Sequence, residues 1–140
     1  MTFSSSRSER NEMSDVRNEK RSGMKPNILK DKSYMFALRV VKLFQHLTAE
    51  RKEYVLSKQV LRSGTSIGAN IEEAYQAESR PDFIHKLAIA NKEAFETHYW
   101  LRLLRDSSIL TSKQAEAILS DCDELQRMLV AAIKTSKSRK

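Results

Sequence analysis

A chain of 140 residues with three Gly and two Pro, 40% hydrophobic and 31% charged, supports one domain with a buried core. So few helix breakers argue for long helices joined by short turns and against a β-rich fold. A single Cys122 excludes an intramolecular disulfide framework, no run of about 18 apolar residues offers a membrane span, and the N-terminus lacks the apolar core of a secretory signal.

The formal charge of +7 is concentrated at the ends. Residues 1–30 hold seven Lys/Arg against four Asp/Glu, residues 134–140 hold four basic groups and no acid, and residues 31–133 carry 14 of each sign. A basic end recruits phosphate by counterion release, but it also serves as a plain solubilising tail, and both readings stay open. Lys134, Lys137, Arg139 and Lys140 are the candidate nucleic-acid contacts.

Taken in chain order, residues 1–30 are rich in Ser, Arg, Glu and Asn with isolated apolar residues, the composition of a disordered extension; Met24 and Met35 are alternative starts. A first helix is expected from about Asp31 to Leu47, capped by Asp31 or Ser33. Its apolar positions cover most of the circumference and leave Arg39, Lys42 and His46 on one polar strip. Such a helix is buried on more than one side. Phe36, Val40 and Leu43 are therefore the candidate face for self-association.

Thr48 is placed as cap of a second helix, from Glu50 to about Ala77. Its apolar stripe runs Val60, Gly64, Ile67, Ile71 and Ala74, supported by Leu56 and Leu61. Gly64 and Gly68 each cost about 1 kcal/mol in a helix interior, a cost that close approach of another backbone or a local kink would offset. Ser79 opens a third helix with Pro81 in its first turn and Asp82 three residues after the cap. Its seam is Phe83, Leu87, Ala90, Ala94, Thr97, Leu101 and Leu104. The fourth helix starts with the capping box Thr111-Ser112-Lys113-Gln114 and continues the seam through Ala115, Ile118, Cys122, Leu125, Leu129 and Ala132. Lys134 and Lys137 suit its negative C-terminus. The expected architecture is all-α, an antiparallel up-down-up-down four-helix bundle over residues 31–133 with a basic tail at 134–140.

No residue set declares a chemistry. A di-iron bundle needs Glu-x-x-His on two helices; His98 follows Glu96 at the wrong spacing, and Asp82-x-x-His85 lies in a first turn where Asp82 is better explained by capping. Cys122 lies on a seam between Asp121 and Asp123, whose charges oppose a thiolate. No nucleophile elbow or phosphate-cradling Gly-rich loop is present. The expectation is a non-enzyme without metal or cofactor.

The most unusual stretch is Gln59 to Ala74, where Ser, Thr, Asn and Gly crowd a helix interior that disfavours them. Arg62, Ser66, Asn70 and Glu73 form a polar line at spacings of three to four, and Glu93 and Glu96 of the third helix are placed to face it. This is either an inter-helix hydrogen-bond network or a binding groove. The Arg62-Ser63, Ser66-Ile67, Asn70-Ile71 and Glu73 residues also match an R-S-x-x-S-I-x-x-N-I-x-E pattern. With the continuation from Phe83 to Leu104, the chain closely resembles the four-helix-bundle family named for intervening sequences in bacterial 23S rRNA genes. Many members of that family have Gly at the position of Ala74. The resemblance covers about residues 31–133. It implies a cytoplasmic bacterial protein forming a homo-oligomer, expected to be a pentamer, with no catalytic activity. It also implies similarity to accessory proteins of diversity-generating retroelements, which bind nucleic acid. Two functions follow as expectations: an oligomeric scaffold that binds RNA or DNA electrostatically, or a protein-interaction bundle with no nucleic-acid role.

Overall fold

The computed structural model describes residues 27–139, and within them four helices account for almost the whole chain: α1 (Ile28–Ala49), α2 (Leu56–Ala74), α3 (Arg80–Asp106) and α4 (Ser112–Ser138). Each helix packs on the next in sequence, and α1 meets α4 to complete an up-down-up-down bundle. No strand occurs among the described residues.

The predicted seams become the core. Val60, Ile67, Ile71 and Ala74 of α2, Leu87, Ala90, Ala94, Leu101 and Leu104 of α3, and Ala115, Ile118, Cys122, Leu125 and Leu129 of α4 are all buried. Leu56, Leu61, Phe83 and Ala132 pack against that core from its margin. Burial of each large aliphatic side chain contributes about 1.5–3 kcal/mol, so this layer supplies most of the driving force for folding.

Two of the four helix starts behave as expected. The Ser79 side chain accepts from Asp82 N with Pro in the first turn, and Thr111 forms a complete reciprocal box with Gln114. The other two are corrections. Asn27 caps α1, its Oδ1 accepting from Lys30 N at 3.0 Å, so the bundle begins three residues before Asp31 and Ser33 lies inside the helix. Residues 1–26, most of the segment read as a disordered extension, lie outside the described residues.

The second correction concerns α2, which begins at Leu56 and not at Glu50. Thr48 caps nothing: its hydroxyl donates back to the Phe44 carbonyl at 2.9 Å. The chain instead reverses at Lys52, whose φ of 53° is left-handed, and Val55 at the cap position provides no side-chain bond. Glu53 supplies it from two residues upstream. Its carboxylate accepts from the backbone N–H groups of Val55, Leu56 and Ser57 at 2.9, 3.0 and 2.7 Å. Burial alone pushes the Glu53 pKa up, but the hydrogen bonds from Ser57, Val55 and Leu56 outweigh it and hold the carboxyl below its ordinary range.

The wide apolar arc of α1 faces inward further than expected. Phe36, Val40 and Leu43, read as a self-association face, are 2%, 0% and 0% exposed and belong to the monomer's own core. The reason lies in Gly64 of α2, with Gly68 one turn on leaving room for an ordinary contact. A Cβ built on Gly64 would lie 2.8 and 2.9 Å from the two Val40 methyls, and one on Gly68 would lie 3.4 Å from the Ser33 carbonyl oxygen. Gly64 lets α1 press directly onto α2, which draws Val40 and its neighbours into the core. Arg39 is a further correction, since it leaves the polar strip to become buried beside Asp121 of α4, with which it forms an ion pair.

Candidate functional site

The polar line on α2 closes on α3. Arg62 forms ion pairs with Glu93, at 3.2 Å, and with Glu96. Glu96 also accepts from the Trp100 indole N–H at 3.0 Å. Its pKa is held below the ordinary glutamate value by that indole bond first, then by Arg62. Glu73 pairs with Lys86 of α3 at 3.0 Å. Ser66 and Asn70 turn back onto their own helix, donating to the carbonyls of Arg62 (2.6 Å) and Ser66 (2.8 Å). Beneath them the buried Thr97 hydroxyl meets the buried Ser63 hydroxyl at 2.9 Å and the Glu93 carbonyl oxygen at 2.8 Å.

All six residues of the line therefore have hydrogen-bond partners within the bundle. The arrangement is a latch between α2 and α3 that fixes their register; it leaves no array of unanswered donors to receive a ligand. Sequence reasoning located the line and missed Trp100 and the Ser63–Thr97 bond. Ser63 and Thr97 fall on core-facing positions of the two seams, and that coincidence was the available signal.

The basic end is arranged differently. Helix α4 runs through Lys134 and Lys137 to Ser138, so most of the segment read as a tail is helical. Lys134, Lys137 and Arg139 are exposed, and among the described residues none of them forms an ion pair. The backbone carbonyl of Arg139 accepts from the Arg80 guanidinium at the start of α3. Lys140 lies outside the described residues. Upstream on the same helix, Arg127 is also exposed and forms no ion pair, with Asp123 one turn before it. From Leu125 to Lys140 the chain carries five basic residues and no acidic one.

Nothing among the described residues assembles a catalytic or metal-binding set. No group of three or more His, Cys, Asp or Glu side chains converges as metal ligands would, and His85 is exposed beside the cap-engaged Asp82. The Cys122 thiol is buried, donates to the Ala94 carbonyl at 3.3 Å, and is pushed up to about 12 by burial and then by Asp123. A thiol so far above neutrality is a small core side chain and no nucleophile. No helix among the described residues is long and apolar enough to cross a membrane.

The model of the 23S rRNA-intervening sequence proteins matches residues 25–131. The chain belongs to that family. A crystal structure of a protein of unknown function from the S23 ribosomal protein family of Bacteroides thetaiotaomicron VPI-5482 is similar. It is 56% identical, aligned over 76% of this chain and 99% of that one, with a TM-score of 0.76. No curated protein matches the chain. The matched residues of the 23S rRNA-intervening sequence family include the whole α2–α3 latch and stop short of Lys134, Lys137 and Arg139.

Proposed function

We propose that this member of the 23S rRNA-intervening sequence family is a non-enzymatic, cytoplasmic, homo-oligomeric bundle that binds RNA or DNA electrostatically. The observation that carries this reading is the unanswered positive charge of the second half of α4: Arg127, Lys134, Lys137 and Arg139 stand exposed on or beside one helix without carboxylate partners. Lys30, Lys32, Arg39, Arg62 and Lys86 are matched to acids, while exposed cations such as Lys58, Lys92 and Lys113 are also without an ion pair. The end of α4 differs in gathering five basic residues over 125–140 with no acid among them. Charge left over in this way attracts phosphates, each contact releasing counterions. Repetition of the end around a homo-oligomer, expected to be a pentamer, would multiply weak contacts into useful affinity.

The test is binding of the purified full-length protein to labelled RNA and DNA across a salt series, with mass determination in solution for the assembly. Affinity is expected to fall by several log units per log unit of salt, and removal of residues 134–140 should flatten that slope. Absent or salt-independent binding refutes the nucleic-acid role, and a monomeric mass refutes the oligomer.

A further inference from the structure

The outer groove between α3 and α4 brings an exposed aromatic side chain together with basic ones. Phe95 of α3 is 60% exposed, and it lines the groove with Val130 and Ala131 of α4. Arg127 and Lys134 line the same groove, two helical turns apart and so roughly 10 Å along the α4 axis. One acid is present, Asp123, and His98 Nε2 approaches its carboxylate at 3.1 Å. The groove is shallow and open, with about 450 Å³ of space against its lining. One turn along α3, Tyr99 is 48% exposed, with the Arg102 guanidinium 5.8 Å from its ring centre.

A single exposed Phe on a monomer's surface needs no explanation. A Phe on a shallow groove with an aliphatic floor and two cations against one acid is a different case, because it pairs a π-face with phosphate-binding charge. Single-stranded nucleic acids are bound by that combination, bases stacking on aromatics while a basic groove follows the backbone. Duplex DNA hides its base faces and has no use for Phe95.

We propose that the α3–α4 groove binds single-stranded nucleic acid, one base stacking on Phe95 while Arg127 and Lys134 hold the flanking phosphates. The inference rests on the nucleic-acid reading above and gives it a place and a strand preference.

The test uses full-length protein and fluorescence anisotropy with a labelled single-stranded oligo-uridine or oligo-thymidine 12-mer and a duplex of the same length. Phe95→Ala is expected to weaken single-strand binding roughly 5- to 100-fold, leave the salt slope and duplex binding unchanged, and be rescued by Phe95→Trp. Arg127→Gln and Lys134→Gln should each lower the single-strand salt slope by about 0.7. Circular dichroism and solution mass of Phe95→Ala should match the parent protein. If the parent binds with a steep salt slope and Phe95→Ala binds equally well, the groove is not the site, while the electrostatic reading stands. No binding by the parent at low salt removes both. A drop in oligomer mass for Phe95→Ala makes this face a contact between copies and overturns the inference.

Discussion

The two flanks of α3 carry charges in opposite states. Towards α2, Glu93 and Glu96 receive Arg62, Lys86 reaches Glu73, and the Thr97 hydroxyl finds Ser63 in the core. Towards α4, the groove past Phe95 leaves Arg127 and Lys134 facing solvent without an ion pair, and Asp123 is the one acid that lines it. The first flank drew attention in the sequence because its residue types are costly inside a helix, yet those residues are there to hold two helices together. The second flank is composed of residue types at home on any helix surface. Residues that break local propensity therefore mark structure here, and residues that obey it line the candidate site. The contrast predicts that substitutions along α2 cost stability and spare binding, whereas those in the α3–α4 groove do the reverse.

The largest effect is expected at Gly64. Any side chain there meets the Val40 methyls at under 3 Å, and Val is stiff at χ1, so α1 has to move. Gly64→Leu should lower stability by about 1–3 kcal/mol, read as an earlier midpoint in urea denaturation. Pairing Gly64→Ala with Val40→Ala should recover part of the loss seen for Gly64→Ala alone. Gly68 sharpens the point, because a Cβ there sits 3.4 Å from the Ser33 carbonyl oxygen, an ordinary contact. Gly68→Ala should therefore gain helix propensity, up to about 1 kcal/mol. Equal losses at both glycines would show that the whole α1–α2 contact is crowded, and not the Val40 position alone.

The glycines also show where sequence reasoning stops. Period and capping chemistry are local, so the seams of α2, α3 and α4 and the caps at Ser79 and Thr111 were legible. The spacing of Gly64 and Gly68 signalled close approach but did not say which helix approaches. An apolar arc looks the same whether it is covered by α2, by α4 or by a second copy of the chain. Phe36, Val40 and Leu43 were therefore assigned outward when Gly64 in fact draws that arc inward. Glu53 stayed hidden for another reason: a carboxylate capping from two residues before the cap position, after a left-handed turn at Lys52, has no simple sequence signature. Thr48, with the right residue type, was the natural mistake. In the groove, Phe95 and Lys134 are 39 positions apart and meet only through tertiary packing.

The Glu53 cap gives an intermediate effect. Glu53→Ala leaves three N–H groups of the first turn without their side-chain acceptor and should cost about 1 kcal/mol. The folded carboxyl titrates below its ordinary value of 4.5, so ionised Glu53 stabilises the fold above that pH, and its contribution is lost as the pH falls through the lower folded value. Melting temperatures measured from pH 7 down to pH 3 should fall less steeply for Glu53→Ala than for the parent. Parallel curves would mean that the hydrogen bonds to Glu53 add nothing to stability.

The smallest effect is expected where the sequence looked most suggestive. Arg62 is half exposed and Glu96 about a third exposed, so water screens their pair, and exposed pairs contribute about 0.2–1 kcal/mol. Arg62→Gln and Glu96→Gln, combined in a double-mutant cycle, should give a coupling energy within that range. Glu96 has a second partner, the Trp100 indole, whose N–H also holds its pKa down. Glu96→Gln keeps an acceptor for that indole, so its cost should stay below that of Glu96→Ala, which deprives the half-buried N–H of its partner. Binding of single-stranded oligonucleotides should be untouched by all three variants, since Arg62 already has its acids. Weakened binding in Arg62→Gln with stability intact would mean that the latch opens to receive a ligand, and the two flanks of α3 would then share one function.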